Sequence, residues 1–259
     1  MSAVTLDSLA VGSAVTLNIS GAATEFIITH QGLPSDDYDD SCNGTWLLMK
    51  NVFEKRAWDS TDNDYANSDI DTYLNNTFVN LFDSDIKAKI KQAKIPYTNG
   101  DGNGSVAGGS GGLERKLFLL SYQEVYGTKY SYSNVNSEGA VLQYFDSYTV
   151  DRIGKYNSTK TGWYLRSPVT NQTGRVLYVR PNDGSPTDAN ITDSLGVRPA
   201  LILPSTIWAD ESNNIITTPP YNTYAGVAGA VRSVTDYAGV AGAVRSVTTY
   251  KGVGGAVRS

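Results

Sequence analysis

Val197-Arg198-Pro199-Ala200-Leu201-Ile202-Leu203 is the stretch on which the reading of this chain turns. It is a short apolar run of the kind that forms a buried strand, yet it carries an arginine and a proline near its start. A run of the same make-up lies upstream, Trp163-Tyr164-Leu165-Arg166-Ser167-Pro168. A buried arginine must be paired, so Arg166 and Arg198 are expected to meet carboxylates inside the domain. Further strands are predicted outward from these two. Val15, Leu17 and Ile19 alternate with small or polar residues, and Phe26-Ile27-Ile28 is a compact apolar run. Thr45-Trp46-Leu47-Leu48-Met49, Lys116-Leu117-Phe118-Leu119-Leu120 and Arg175-Val176-Leu177-Tyr178-Val179 have the same character.

Between the strands the apolar period changes. Ile70, Tyr73, Leu74, Phe78, Leu81 and Phe82 share one helical face, predicting a helix over 69–82 with Ser68 or Asp69 as its N-cap. A second helix is predicted from Ser84, with Ile86, Ile90 and Ala93 on its apolar side, ending before Pro96. A third is predicted over 137–148, carrying Ala140, Val141, Tyr144 and Phe145. The fold class read from this pattern is α+β, with the main domain at 1–205, a linker at 206–223 and repeats at 224–259.

The counts remove several functions. Twenty-one Lys and Arg against 26 Asp and Glu leave a net charge of −5 with no basic stripe, so nucleic acid is not an expected partner. One Cys excludes an intrachain disulfide and a multi-cysteine zinc site; one His excludes a multi-histidine site. Gly108-Gly109-Ser110-Gly111-Gly112 matches G-x-S-x-G, but it lies in a glycine-rich loop instead of a strand-to-helix elbow. The glycines at 100, 102 and 104 likewise follow no hydrophobic strand. No run approaches 18 apolar residues, and the first residues lack a basic n-region. The expectation is a protein made in a cytoplasm without membrane insertion.

Two acidic clusters, Asp36, Asp37, Asp39, Asp40 and Asp59, Asp62, Asn63, Asp64, offer the oxygen ligands a hard cation needs. Neither has a twelve-residue loop closed by Glu, so both read as solvated turns; no metal or cofactor is expected, with calcium as the alternative. His30 reads as structural and Cys42 as an inert packed thiol. Tyr122, Tyr126, Tyr130, Tyr132, Tyr156 and Tyr164 crowd the second half of the domain among Asn and Ser, a composition that suits either a recognition surface or ordinary packing. The tail holds three copies of Tyr-x-Gly-Val-x-Gly-Ala-Val-Arg-Ser, opened by Tyr224, Tyr237 and Tyr250. Each copy is too small for its own core, so Tyr224, Val227, Arg232, Tyr237, Val240, Arg245, Tyr250, Val253 and Arg258 are expected to dock on other proteins or on further copies of the chain.

Three segments together resemble a known group. They are Asp64-Tyr-Ala-Asn-Ser-Asp-Ile-Asp-Thr-Tyr-Leu-Asn-Asn-Thr-Phe78, Phe118-Leu-Leu-Ser-Tyr-Gln-Glu-Val-Tyr-Gly127, and Trp163-Tyr-Leu-Arg-Ser-Pro168 with Gly196-Val-Arg-Pro-Ala-Leu201. This set resembles an uncharacterised domain family of phages and prophages of Gram-positive bacteria, and the tail is similar to Gly-Val repeats attached to such domains. The closing pair of motifs is also similar to the end of C-type-lectin-like domains, including the formylglycine-generating-enzyme type. That resemblance implies a lectin-like domain with two helices and a small twisted antiparallel sheet. It places a ligand surface at 169–195, with Trp163, Tyr164, Arg175, Tyr178, Arg180, Asn182, Asp183, Asp188 and Asn190 as candidates. The cysteine pair of the enzymatic branch is missing, so oxidase activity is not implied.

The function expected is a non-enzymatic virion structural protein of a tailed phage, in the tail, a fibre or the particle surface. Its domain would bind a host-surface glycan or protein, and its repeats would anchor it to other virion proteins. The alternatives are a capsid or neck decoration protein without a host ligand, and a carbohydrate-active hydrolase using Asp37 with Asp64.

Overall fold

The computed structural model describes residues 3–147 and 151–218, and the backbone of 221–223 and 231–233. Ten strands carry the fold: β1 (Ala14–Ile19), β2 (Ala22–Gly32), β3 (Gly44–Met49), β4 (Glu54–Arg56), β5 (Leu117–Phe118), β6 (Trp163–Pro168), β7 (Arg175–Val179), β8 (Pro186–Asn190), β9 (Leu195–Val197) and β10 (Ala200–Leu203). They make two five-stranded sheets, ordered β5-β10-β3-β2-β1 and β8-β7-β6-β9-β4, accompanied by smaller strand pairs. Strands account for 36% and helix for 16%. Among the described residues there are three α-helices, α1 (Asp69–Asn76), α2 (Ser84–Lys89) and α3 (Tyr122–Tyr126). The protein is therefore β-rich and built from many small sheets. The expected α+β, lectin-like arrangement of two helices on one small sheet is not its fold.

The apolar stripes are buried as expected, but the α-helices cover only part of their length. Ser68 does cap α1, its Oγ accepting the Asp71 N–H at 3.2 Å. The helix then stops at Asn76 and passes into a 3-10 turn, Phe78–Leu81. Asn75 supplies a reason. Its Nδ2 donates to Leu117 O at 3.0 Å, and its Oδ1 accepts the N–H groups of Lys116 and Leu117 at 3.3 and 3.2 Å. The side-chain amide thus stands in for a neighbouring strand along β5, and asparagine is a weak helix former. α2 ends at Lys89, and Ala93 belongs instead to a strand, Ala93–Ile95, paired with Leu113–Arg115.

Of the helix expected over 137–148, the described residues 137–147 form no α-helix. Only Gln143–Phe145 makes a 3-10 turn. Glu138 is fully buried with its carboxylate on the Thr98 N–H at 2.6 Å, and Gly139 has φ +87°, a left-handed conformation that interrupts a helix. A Cβ on Gly139 would stand 2.2 Å from the Tyr38 hydroxyl, so glycine is also needed for close approach.

The 197–203 run is not one strand. β9 ends at Val197 in one sheet and β10 begins at Ala200 in the other, with Pro199, which has no N–H for a ladder, at the crossing. The neighbouring β3–β4 segment crosses alongside. β3 pairs with β10 through Thr45↔Leu203 to Leu48↔Ala200, and β4 pairs with β9 through Glu54↔Val197 to Arg56↔Leu195. Arg198 sits at the crossing, 1% exposed, where its Nε donates to Met49 O at 2.7 Å and its Nη2 to Lys50 O at 2.9 Å. Its guanidinium lies 4.8 Å from the Trp163 ring centroid. Its hydrogen-bond partners are main-chain carbonyls, not the carboxylate expected, because the crossing strands leave those carbonyls unladdered. Burial pushes the guanidinium down to about 10, which still leaves it charged at neutral pH.

In the tail, Tyr221–Thr223 pairs antiparallel with Val231–Ser233, which contains the backbone of Arg232. The other expected docking residues, Tyr224, Val227, Tyr237, Val240, Arg245, Tyr250, Val253 and Arg258, lie outside the described residues.

Candidate functional site

The most concentrated chemistry lies inside the domain. Ser121 starts α3 with a capping box: its Oγ accepts the Glu124 N–H at 3.0 Å, and Glu124 Oε2 accepts the Ser121 N–H at 2.8 Å. The box turns Glu124 inward onto Arg166 of β6, which donates from Nη1 to Oε2 and from Nη2 to Oε1, both at 2.7 Å. Tyr38 donates to Oε1 at 2.9 Å. The remaining Arg166 bonds go to Pro96 O at 3.0 Å and Leu119 O at 2.8 Å. Arg166 and Glu124 are both 0% exposed. Burial opposes the Arg166 charge, but Glu124 more than offsets it and holds the guanidinium above its ordinary range. Burial, then Glu124, pushes the Tyr38 hydroxyl well up. This is the carboxylate pairing expected for Arg166, and it ties α3, β6 and the Tyr38 loop together.

Glu138 joins the same cluster on different terms. It accepts from the Thr98 N–H and from Ser167 Oγ, while its main-chain oxygen accepts from Ser121 Oγ at 2.8 Å. Burial raises its carboxyl, with Arg166 acting in the opposite sense.

The expected ligand residues separate into two groups. Trp163 and Tyr164 are 0% exposed and belong to the core. Trp163 Nε1 donates to Arg152 O at 2.8 Å and Tyr164 OH to Asp193 O at 2.5 Å. The whole of β6 is buried, as suits a central strand covered on both faces. The rest lie on the β7–β8 hairpin and its turn, in the register Arg175↔Asn190, Leu177↔Asp188 and Tyr178↔Thr187. Arg175 Nε pairs with Asp188 Oδ2, and its Nη1 donates to Asn190 Oδ1 at 3.3 Å. Tyr132 donates to Asp188 Oδ1 at 2.7 Å. Burial acts against the Asp188 charge, but Tyr132 and Arg175 outweigh it and lower the carboxyl. Asp183 caps the turn, accepting the Ser185 N–H at 3.0 Å. Arg180, Asn182, Asp183 and Asn190 are exposed, whereas Arg175, Tyr178 and Asp188 are half-buried.

Residues 43–205, more than half of the sequence, match the family described as Domain of unknown function (DUF6273). The chain belongs to the DUF6273 family. No curated protein and no solved structure matches it. The DUF6273 segment contains both arginine motifs, the two buried glutamates and the β7–β8 hairpin; β1 and β2, which complete the first sheet, precede it.

The acidic clusters of this DUF6273 protein are occupied with their own loops. Asp39 Oδ1 accepts the Ser41 N–H, and Asp59 Oδ2 accepts those of Thr61 and Asp62. Asp37 accepts from Ser35 Oγ, and Asp64 caps a 3-10 turn through the Ala66 N–H. Among the described residues no three His, Cys, Asp or Glu side chains group as metal ligands. His30 is buried, its Nδ1 accepting the Gln143 N–H at 3.3 Å, and burial lowers its pKa. Burial pushes the Cys42 thiol up to about 12, leaving it unreactive at neutral pH. Tyr122 and Tyr126 are buried and pack at 5.2 Å, with Tyr130 5.0 Å from Tyr126. The tyrosine cluster is therefore largely packing, with Tyr132 reaching the hairpin.

Sequence reasoning missed Tyr38, Glu124 and Glu138. Ser121-x-x-Glu124 is a capping-box pattern and marks both α3 and its inward carboxylate. Nothing local marks Glu138.

At the surface, a polar cleft of about 410 Å³ is lined by Asp71, Asn75, Gln92, Glu114 and Arg115, among others. Asp71 pairs with Arg115 Nε at 2.7 Å, yet burial outweighs the pair and lifts its carboxyl to about 6. The folded value is raised, so this group's contribution to stability is full at acid pH and is lost as pH rises through about 6. Urea unfolding of Asp71→Asn between pH 4 and 7 is expected to lack that slope. An unchanged pH profile would show that Arg115 neutralises Asp71 fully.

Proposed function

We propose that this DUF6273 protein is a non-enzymatic structural component of a tailed-phage virion. In this reading the β7–β8 hairpin is turned to a host-surface glycan or protein, and the repeats at 224–259 join the chain to other virion proteins and to its own copies. The observation that carries it is the division of polar groups. Arg180, Asn182, Asp183 and Asn190 stand exposed on one hairpin, while Arg166, Glu124 and Glu138 are shut in the interior with internal partners. Clustered Arg and Asn with a nearby Tyr suit adaptable recognition better than bond-breaking chemistry. The resemblance of the motif set to phage and prophage domains supports the virion setting, and the 13-residue repeat supports a multimer.

The test is binding of the full chain to intact host-type cells, compared with a variant carrying Arg180→Ala, Asn182→Ala and Asn190→Ala together. The expected result is saturable binding by the parent and a loss of about tenfold or more in the variant. Thermal stability should be nearly unchanged, because exposed substitutions cost about 0.5 kcal/mol or less each. Equal binding by both proteins would remove the hairpin from recognition. Absence of binding, with light scattering showing assembly that needs 224–259, would leave a decoration protein.

A further inference from the structure

Residues 128–142 run from the end of α3 to the Gln143–Phe145 turn without helix or strand. Crossings longer than about 12–15 residues without regular structure are uncommon in compact domains and tend to be lids or binding loops. This one lies as a strap against the hairpin. Tyr132 holds Asp188, and Asn134 O accepts the Thr170 N–H at 3.0 Å beside the β6–β7 turn. Asn136 Nδ2 donates to Gly104 O at 3.1 Å, and the Ala140 N–H donates to Tyr38 OH at 3.1 Å. At its centre Glu138 is the one strap side chain driven wholly into the charged core, where it is 0% exposed.

Charge counting there is unequal. Arg166 from β6 is the cation of the cluster, and Glu124 from α3 takes it in a two-point pair. Glu138 has only the neutral donors Thr98 N–H and Ser167 Oγ, with Tyr38 as the other titratable group on this core. His30 and Cys42 lie within reach of Glu124's charge. A second negative charge in this place has no cation of its own: Arg166, which opposes the effect of burial on Glu138, is already taken by Glu124, so burial prevails and favours a protonated Glu138.

We infer that the 128–142 strap is a pH-sensitive cover of the β7–β8 hairpin, latched by Glu138 in its protonated form and loosened when Glu138 ionises. Opening carries the carboxyl into water, where it ionises at its ordinary value. Between that value and the higher one that burial imposes on the seated strap, each opening event releases a proton. The opening constant then rises tenfold per pH unit across that window and levels off above it. The movement rests on the latch geometry alone; only what it gates rests on the hairpin being a ligand surface.

Amide hydrogen exchange of the full chain, corrected for intrinsic rates, tests this without any ligand. From pH 4.5 to 7.5 the protection of 128–142 is expected to fall relative to β2 and β3 and to level off once the seated carboxyl has ionised. In Glu138→Gln, which keeps a neutral acceptor and donor in place, protection should be independent of pH. A flat profile in the parent chain overturns the latch, as does a pH dependence that survives in Glu138→Gln. Should that variant fail to fold, the parent profile alone decides.

Discussion

Arg166→Met is expected to lower the unfolding free energy by about 3–5 kcal/mol at pH 7, the range for breaking a buried ion pair by removing one partner. The substitution fills much of the side-chain volume but leaves Glu124 with no cation, and Pro96 O and Leu119 O lose their donors. Glu138 loses the one positive charge near it. Two signs distinguish this mechanism from simple loss of packing. The deficit should shrink as pH falls, because a buried carboxylate stripped of its cation is relieved by taking up a proton. It should also shrink in the double variant Arg166→Met with Glu124→Gln, since removing both charges costs less than removing one. Denaturant unfolding of the parent and the two variants at pH 5 and 7 measures both. A loss below about 1 kcal/mol for Arg166→Met would mean that water reaches the cluster.

The second large effect is expected at Arg198. Arg198→Ala removes the two donors to Met49 O and Lys50 O and the cation over Trp163, leaving two carbonyls unsatisfied at the strand crossing. Each buried carbonyl left without a donor costs about 1–3 kcal/mol, and the cation–aromatic contact about 1 more, so a loss of about 3 kcal/mol or more is expected. Arg198→Lys should recover less than half of it, because an ammonium on a flexible stem does not reproduce the planar fork spanning adjacent carbonyls. Near-ultraviolet dichroism should change in both variants through Trp163, which is fully buried under the guanidinium. Unchanged thermal stability in Arg198→Ala would show that the crossing holds without its clamp.

The two arginines show how far local pattern carries. Both sit in apolar runs beside prolines, and both are buried, as the composition of those runs requires. Their partners differ because of topology. Arg166 stays within one central strand and meets a carboxylate presented by a helix cap. Arg198 falls where two strands change sheets, and the carbonyls exposed by that change become its partners. The helical stripe over 69–82 has the same lesson. Its apolar residues are buried or half-buried, but Asn75 is recruited by β5 and the helix ends after eight residues. At 137–147 the demand to bury Glu138 against Thr98 and Ser167 overrides helical spacing.

Periodicity and residue type were enough to place the buried segments: which stretches are apolar, which face is covered, and that both arginines lie inside. Those properties depend on transfer out of water, which acts on each segment whatever its neighbours. The sheet each segment joins, the carboxylate that reaches Arg166, the strap over the hairpin and the isolation of Glu138 were decided by tertiary structure. Each depends on bonds between residues far apart in the chain, 42 positions for Arg166 with Glu124 and 149 for Arg198 with Met49. A hydrogen bond needs its partner within about 3 Å, and only the folded arrangement of both sheets brings such partners together.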